Sequence, residues 1–214
     1  MLAAHAVVTT GVSWFDPFIY IAPALSSVVL LPVTIQAIIE GGRSMVLTTV
    51  REAMQDPMTG LYNRRGMYSA ARRLAPARTS VIVVAAVIDL DGFKDLNDTH
   101  GHEHGDSVLR DVADVLHSCV RAGDVVARTG GDEFVVVAAL GSPSAVDGFI
   151  SRLRSALYSA ADTVTASVGI AWCYSHDGCD NPTLDEVLRL ADTAMYESKR
   201  TGGNRISFSE RVPG

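Results

Sequence analysis

Apolar and polar positions along the chain fall into three patterns, each predicting a different element. The run VIVVAAVIDL at 81–90 is short, β-branched and apolar almost throughout, and it reads as a buried strand with Asp89 and Asp91 at its C-terminal end. TVTASVGIAW at 163–172 alternates as a strand, RISF closes as another, and DVVAR and EFVVVAA flank TGGD as a hairpin. Helical spacing appears in three places: Val108, Leu109, Val112, Val115, Leu116 and Cys119 within 106–120, Phe149, Ile150, Leu153 and Leu157 within 146–160, and Leu184, Val187, Leu188, Ala191 and Met195 within 184–200. The order β-α-β-β-α-β, with extra elements, predicts an α+β palm, an antiparallel sheet with helices on one face. That layout hosts unrelated functions and does not settle chemistry.

The third pattern is unbroken. Residues 17–39, PFIYIAPALSSVVLLPVTIQAII, carry no charge, and roughly 20 such residues match the hydrocarbon core of a bilayer. Trp14, Phe15 and Tyr20 suit one interface, Arg43 and Arg51 suit the cytoplasmic side, and Pro23 and Pro32 are tolerated in membrane spans. A cleaved signal peptide fits less well, because no Lys or Arg precedes the stretch. The expectation is a membrane segment at 1–42 with one transmembrane helix at about 17–39, a helical linker at 43–55 and a soluble domain at 56–210. The lipid bilayer is then a partner, the location is the inner (cytoplasmic) membrane, and the domain faces the cytoplasm. In the linker, Leu47, Val50 and Met54 form a seam too short for a coiled coil on its own. It reads equally as a stalk pairing two chains or as the first helix of the domain.

Charge sharpens the boundary. Before Arg51 the formally charged side chains are Asp16, Glu40 and Arg43 alone, and the net charge of -6 argues against a nucleic-acid partner. Cys119, Cys173 and Cys179 form no CxxC, which implies neither a disulfide framework nor a zinc site and fits a reducing compartment.

In a palm the end of the first strand lies beside the central hairpin, so Asp89 is expected to face Asp132 and Glu133. Three carboxylates brought together from separate segments repel unless a divalent cation offsets them. Hard oxygen ligands favour Mg²⁺, with water and phosphate oxygens completing its shell, and such a site suits in-line attack at phosphorus. Taken alone, Asp132 and Glu133 read more readily as turn residues. His100, His102 and His104 alternate, but a structural zinc site needs four ligands from well-spaced pairs.

Four motifs in order go further. GGDEF at 130–134 resembles the signature of the GGDEF, or diguanylate cyclase, family. DPMTGLYNRRG at 56–66, DLDGFKDLNDTHGHEHGDSVL at 89–109 and ADTAMYESKRTGGNR at 191–205 resemble its opening motif, its first-strand block and its closing helix. The resemblance implies a palm related to nucleotide cyclases and polymerases, in which two GTP become cyclic di-GMP with release of pyrophosphate. Each domain would hold one GTP, so the enzyme would act as a homodimer, using Mg²⁺ or Mn²⁺. By the same resemblance, Asp89, Glu133 and the Leu90 carbonyl match metal ligands, and Asp132 matches the position that binds metal or activates the attacking hydroxyl. Asn97 and Asp106 match the guanine-reading pair, whose amide and carboxylate suit the base edge. Gly92, Phe93 and Lys94 match the phosphate loop, and Lys94 and Lys199, the only lysines in the chain, match phosphate-binding lysines. Arg121 and Asp124 of RAGD match an inhibitory RxxD site for the product, with Arg152 as a further contact and a surface ion pair as the plainer alternative. One departure stands out: Gly203 occupies the place where the family often has an arginine. A non-catalytic GGDEF receptor and a mononucleotide cyclase are the rival readings. The retained carboxylates weigh against the first, and Asn97, Asp106 and RxxD against the second.

Overall fold

A computed structural model describes residues 30–41, 53–74, 81–160, 164–175 and 184–209. The chain divides into two compact units, 1–50 and 51–214. In the first, residues 30–41 form a helix whose Leu30, Leu31, Val33, Ile35, Ile38 and Ile39 are exposed. The rest of the predicted span and most of the predicted linker lie outside the described residues. Among the described residues no helix is long and apolar enough to cross a membrane.

The second unit is built on five strands, β1 (Val81–Leu90), β2 (Val125–Arg128), β3 (Glu133–Leu140), β4 (Ala166–Ser175) and β5 (Arg205–Phe208), in the spatial order β2-β3-β1-β4-β5. β1 is central and antiparallel to both neighbours, running from Ile82 opposite Leu140 to Asp89 opposite Glu133, and from Val81 opposite Ser175 to Leu90 opposite Ala166. The expectation of a wholly antiparallel sheet needs correction, because β5 pairs parallel with β4. The helix between them supplies the crossover that a parallel pair requires.

The expectation of helices on one face also fails. α3 (His102–Cys119) and α4 (Pro143–Ala160) cover one face, with Val84, Ile88, Leu116, Phe134, Val136, Phe149 and Leu153 in its core. α1 (Arg64–Ala71) and α5 (Leu184–Arg200) cover the other, around Met67, Val87, Val135, Val137 and Val187. The reason lies in β1 and β3. Neither has a polar face, and a sheet apolar on both sides must be buried on both. Gly169 on β4 lets α5 sit directly on the sheet, since an added Cβ would strike Ala191 O and Met195 N.

A further helix, α2 (Phe93–His100), lies between β1 and α3, and α3 itself begins four residues before the predicted start at Asp106. Gly101, with φ of 84°, separates the two. Only Phe93 of α2 is buried, so no 3.6-residue apolar pattern announces it.

Candidate active site

The predicted acidic residues assemble at the C-terminal end of β1. Asp89 stands opposite Glu133, and both belong to the α1/α5 face that carries Val87 and Val135. The turn closes onto them through the Leu90 N–H, which donates to Asp132 O at 3.3 Å. Lys199, in the last turn of α5, places Nζ 2.6 Å from Asp89 Oδ1. The ammonium and the carboxylate form a close, charge-assisted contact. Burial pushes the Asp89 carboxyl above the usual carboxylate range. Lys199 opposes that rise, Asp132 and Glu133 add to it, and the net shift is upward. Among the described residues no three His, Cys, Asp or Glu side chains are drawn together as a ready-made cation cage. The positive charge beside Asp89 comes from Lys199.

Two residues shape the turn. Thr129 donates its hydroxyl to Glu133 Oε1 at 2.8 Å and its N–H to Glu133 O at 3.0 Å. Arg128 donates Nε and Nη2 to Gly131 O at 3.1 and 2.7 Å, and Nη1 to Asp56 Oδ1 at 3.1 Å. Asp56 in turn accepts from the Thr59 N–H and hydroxyl. Burial pushes the Asp56 carboxyl up, but the Thr59 bonds and Arg128 outweigh it and hold the group below its ordinary value. The opening motif is thereby tied to the signature turn. Sequence reasoning missed Arg128, and its place directly before TGGD was the available signal.

The two signature glycines are not required by strained backbone, for neither has a positive φ. A Cβ at Gly130 would lie 3.4 Å from Glu133 Cβ, an ordinary contact, and one at Gly131 would meet no atom within 4 Å. Side chains there would fit the protein itself. What they would fill is the open space over the turn.

At the other side of the strand end, Gly92 adopts φ of 66°, a left-handed conformation suited to glycine, and starts α2. The N–H groups of Phe93 and Lys94 fall in the first turn, where no intrahelical acceptor exists. Phe93 is buried and Lys94 exposed. Asn97, one turn on, presses against α3 where Gly105 has no side chain. A Cβ at Gly105 would overlap Asn97 Oδ1 and stand 2.9 Å from its Cγ. Asn97 Oδ1 is buried with no hydrogen-bond partner among the described residues, and the half-buried Asp106 is the next residue of α3.

Asp91 proves to be an anchor. It accepts from the hydroxyls of Thr165 and Ser167 at 2.9 and 2.7 Å and from the Asn204 N–H at 2.8 Å. Gly203, with φ of 71°, backs onto this carboxylate, and an added Cβ would lie 3.0 Å from it. An arginine there would need both a strained backbone and a displaced Asp91. Two arginines flank this position: Arg205 donates Nε to Gly203 O at 3.3 Å, and Arg200 is exposed.

Arg121 and Asp124 form a turn on the far side of α3. The Asp124 carboxylate accepts the Arg121 N–H at 2.9 Å, and Gly123 has φ of 107°. The Arg121 side chain is exposed, so the described contact is a backbone turn rather than the ion pair of the plainer alternative. Arg152 approaches from α4, donating Nε to Cys119 O at 3.1 Å, and its buried Nη2 has no hydrogen-bond partner among the described residues.

Known proteins resemble this chain in both sequence and fold. Diguanylate cyclase DosC of Escherichia coli (strain K12) is 34% identical over 184 residues, 77% of this chain and 39% of that protein. The chain therefore spans about two fifths of that relative's length. The structure resembles a microbial GGDEF domain solved for its interaction with cyclic di-GMP (TM-score 0.65, 33% identity, 75% of this chain and 99% of that one). It also resembles the coiled coil and GGDEF domain of DgcB from Caulobacter crescentus, in complex with c-di-GMP (TM-score 0.70, 27% identity, 86% and 100%). The family profile described as "Diguanylate cyclase, GGDEF domain" matches residues 53–205, most of the chain, and the chain belongs to that family.

Proposed function

We propose that the chain is a diguanylate cyclase that joins two GTP into cyclic di-GMP and releases two pyrophosphates. The observation that carries this reading is the pairing of Asp89 with Glu133 at the strand end, beside a turn whose glycines leave open space. The charge balance suits a divalent cation: the Asp89 carboxyl is raised by burial and by its acidic neighbours, and the Lys199 ammonium offsets that rise only in part. Asp89, Glu133, Asp132 and the Leu90 carbonyl would hold Mg²⁺ or Mn²⁺. Bound there, the ion would neutralise the triphosphate and favour departure of pyrophosphate.

The remaining chemistry belongs to the chain. Asn97 and Asp106 read guanine, the amide through Oδ1, which has no partner of its own. The N–H groups of Gly92, Phe93 and Lys94 receive phosphate oxygens at the start of α2. Lys94 adds charge, and Lys199 exchanges Asp89 for phosphate when nucleotide arrives. Asp132 accepts the proton of the attacking 3′-hydroxyl. One domain holds one GTP, so two chains meet face to face as a homodimer, each 3′-hydroxyl attacking the partner's α-phosphate. Arg121, Asp124 and Arg152 bind the product and restrain turnover. The uncharged stretch at 17–39 supports anchorage in the cytoplasmic membrane with the catalytic unit in the cytoplasm. Retention of all the signature carboxylates favours catalysis over a receptor that only binds nucleotide.

The full chain incubated with GTP and Mg²⁺ should yield cyclic di-GMP by chromatography and mass. Glu133→Ala and Asp132→Ala should abolish turnover while circular dichroism stays unchanged. Absence of product even when a fused leucine zipper forces two copies together would end the enzyme reading. Membrane anchorage is tested by fractionation, where recovery in the soluble fraction would count against it.

A further inference from the structure

Glu133 has two carboxylate oxygens, and the chain treats them differently. Oε1 accepts the Thr129 hydroxyl at 2.8 Å. A hydroxyl donating to an ionised carboxylate makes one of the stronger hydrogen bonds available to a protein. Thr129 is itself held, because its N–H closes onto Glu133 O at 3.0 Å, and its branched side chain has few rotamers. Oε2 is oriented differently. It faces the Gly130 backbone, where a Cβ would stand 3.5 Å away, and among the described residues no hydrogen bond to it is recorded. A cavity of about 410 Å³ between α1 and α5 also has Thr129 and Glu133 on its wall, so the carboxylate has open space on that side and the Thr129 hydroxyl fixes its orientation.

We infer that Thr129 is a positioning residue that makes Glu133 a one-oxygen ligand and thereby biases the site toward Mg²⁺ over Ca²⁺. The inference rests on Glu133 as a metal ligand. Mg²⁺ is small and octahedral and takes single carboxylate oxygens together with water. Ca²⁺ takes more ligands and readily accepts both oxygens of one carboxylate. A hydrogen bond to Oε1 takes up one of its lone pairs and fixes its direction, which disfavours the two-oxygen mode. Residues that orient a ligand from behind typically matter by about 10- to 100-fold in metal affinity.

The test uses the full chain saturated with 3′-deoxy-GTP, which lacks the attacking hydroxyl, and titrates Mg²⁺ and Ca²⁺ by calorimetry and by thermal shift. Thr129→Val keeps the shape and removes the hydroxyl, whereas Thr129→Ser keeps the hydroxyl. Thr129→Val should weaken Mg²⁺ by about 10-fold or more and raise the Ca²⁺-to-Mg²⁺ affinity ratio, with Thr129→Ser close to the parent. If Thr129→Val does not fold, Thr129→Ala makes the same comparison. An unchanged ratio, an equal loss for both ions, or a Thr129→Ser that behaves like Thr129→Val would overturn the inference. Glu133→Ala separates the two levels of the argument: if Mg²⁺ binding survives it, the assignment of Glu133 as a ligand fails, and if it does not, a silent Thr129→Val refutes the positioning role alone.

Discussion

Gly105→Ala tests the proposed base pocket through a contact internal to the chain. Alanine in a helix interior is favoured over glycine by about 0.5–1 kcal/mol, so at an open position the change would stabilise. Here the new Cβ would overlap Asn97 Oδ1 and lie 2.9 Å from its Cγ and 3.2 Å from Phe93 Cζ. Good carbon contacts fall near ~3.5–4.0 Å, so the Asn97 amide has to swing away. Forcing a methyl into such a place costs about 1–3 kcal/mol. The net effect is a loss of roughly 0.5–2 kcal/mol, a fall of about 1–8 °C in Tm for a unit of this size.

The diagnostic comes from four proteins: parent, Gly105→Ala, Asn97→Ala and the double variant. With the amide gone the main obstacle is gone, and Gly105→Ala should then stabilise by about 0.5–1 kcal/mol. Urea unfolding measures all four. GTP affinity, read by calorimetry with 3′-deoxy-GTP, should fall about 5- to 150-fold in Gly105→Ala, the range expected for a lost buried hydrogen bond of about 1–3 kcal/mol. Equal destabilisation in both backgrounds, or parental affinity in the single variant, would refute the argument.

Other consequences follow from the same geometry. Arg128→Ala takes the guanidinium from the Gly131 carbonyl and from Asp56, which keeps only its Thr59 bonds, and should cost about 1–3 kcal/mol by urea denaturation, with a lower kcat because the turn is loosened. Asp56 has a depressed carboxyl, so its contribution to stability is present above the ordinary carboxylate pKa and lost as pH falls through the folded value. Arg128→Ala should shrink that acid-side loss in a Tm–pH series, and an unchanged acid limb would remove Arg128 as a cause. Asp89 has the opposite sign: its raised carboxyl destabilises the ligand-free fold above the folded pKa and is relieved as pH falls through it. Asp89→Asn should therefore hold or raise Tm without ions while abolishing the thermal shift given by Mg²⁺ and nucleotide, and a surviving shift would contradict the ligand assignment. Arg121→Ala should relieve inhibition by added cyclic di-GMP without lowering the uninhibited rate, and an unaltered inhibition curve would return RAGD to a surface turn.

The strands were legible because their signals are local. β1 is an apolar run ending in acids, the hairpin is two such runs around TGGD, and α5 carries its full inward stripe over Leu184–Arg200. α2 was not legible as a separate helix, for it buries only Phe93 and is held by Gly92 and Gly101 at its ends. The two-faced sheet was signalled by the lack of alternation in β1, but which helices cover which face depends on contacts far apart in the chain. Within the site, residue identities came from motifs, whereas Arg128, Thr129 and Asp91 emerged only from their partners.

The acidic strand end, the glycine-bearing turn, the two lysines and the family were all readable in the sequence itself, since each is written in residue type and short-range spacing. That Lys199 meets Asp89, that Asn97 shelters against Gly105 and that Asp91 serves as an anchor are outcomes of long-range packing. Those outcomes depend on strand register and on the close approach of helix to sheet at Gly169. Both are set by burying two apolar faces at once, a constraint that acts on the whole chain and has no local signature.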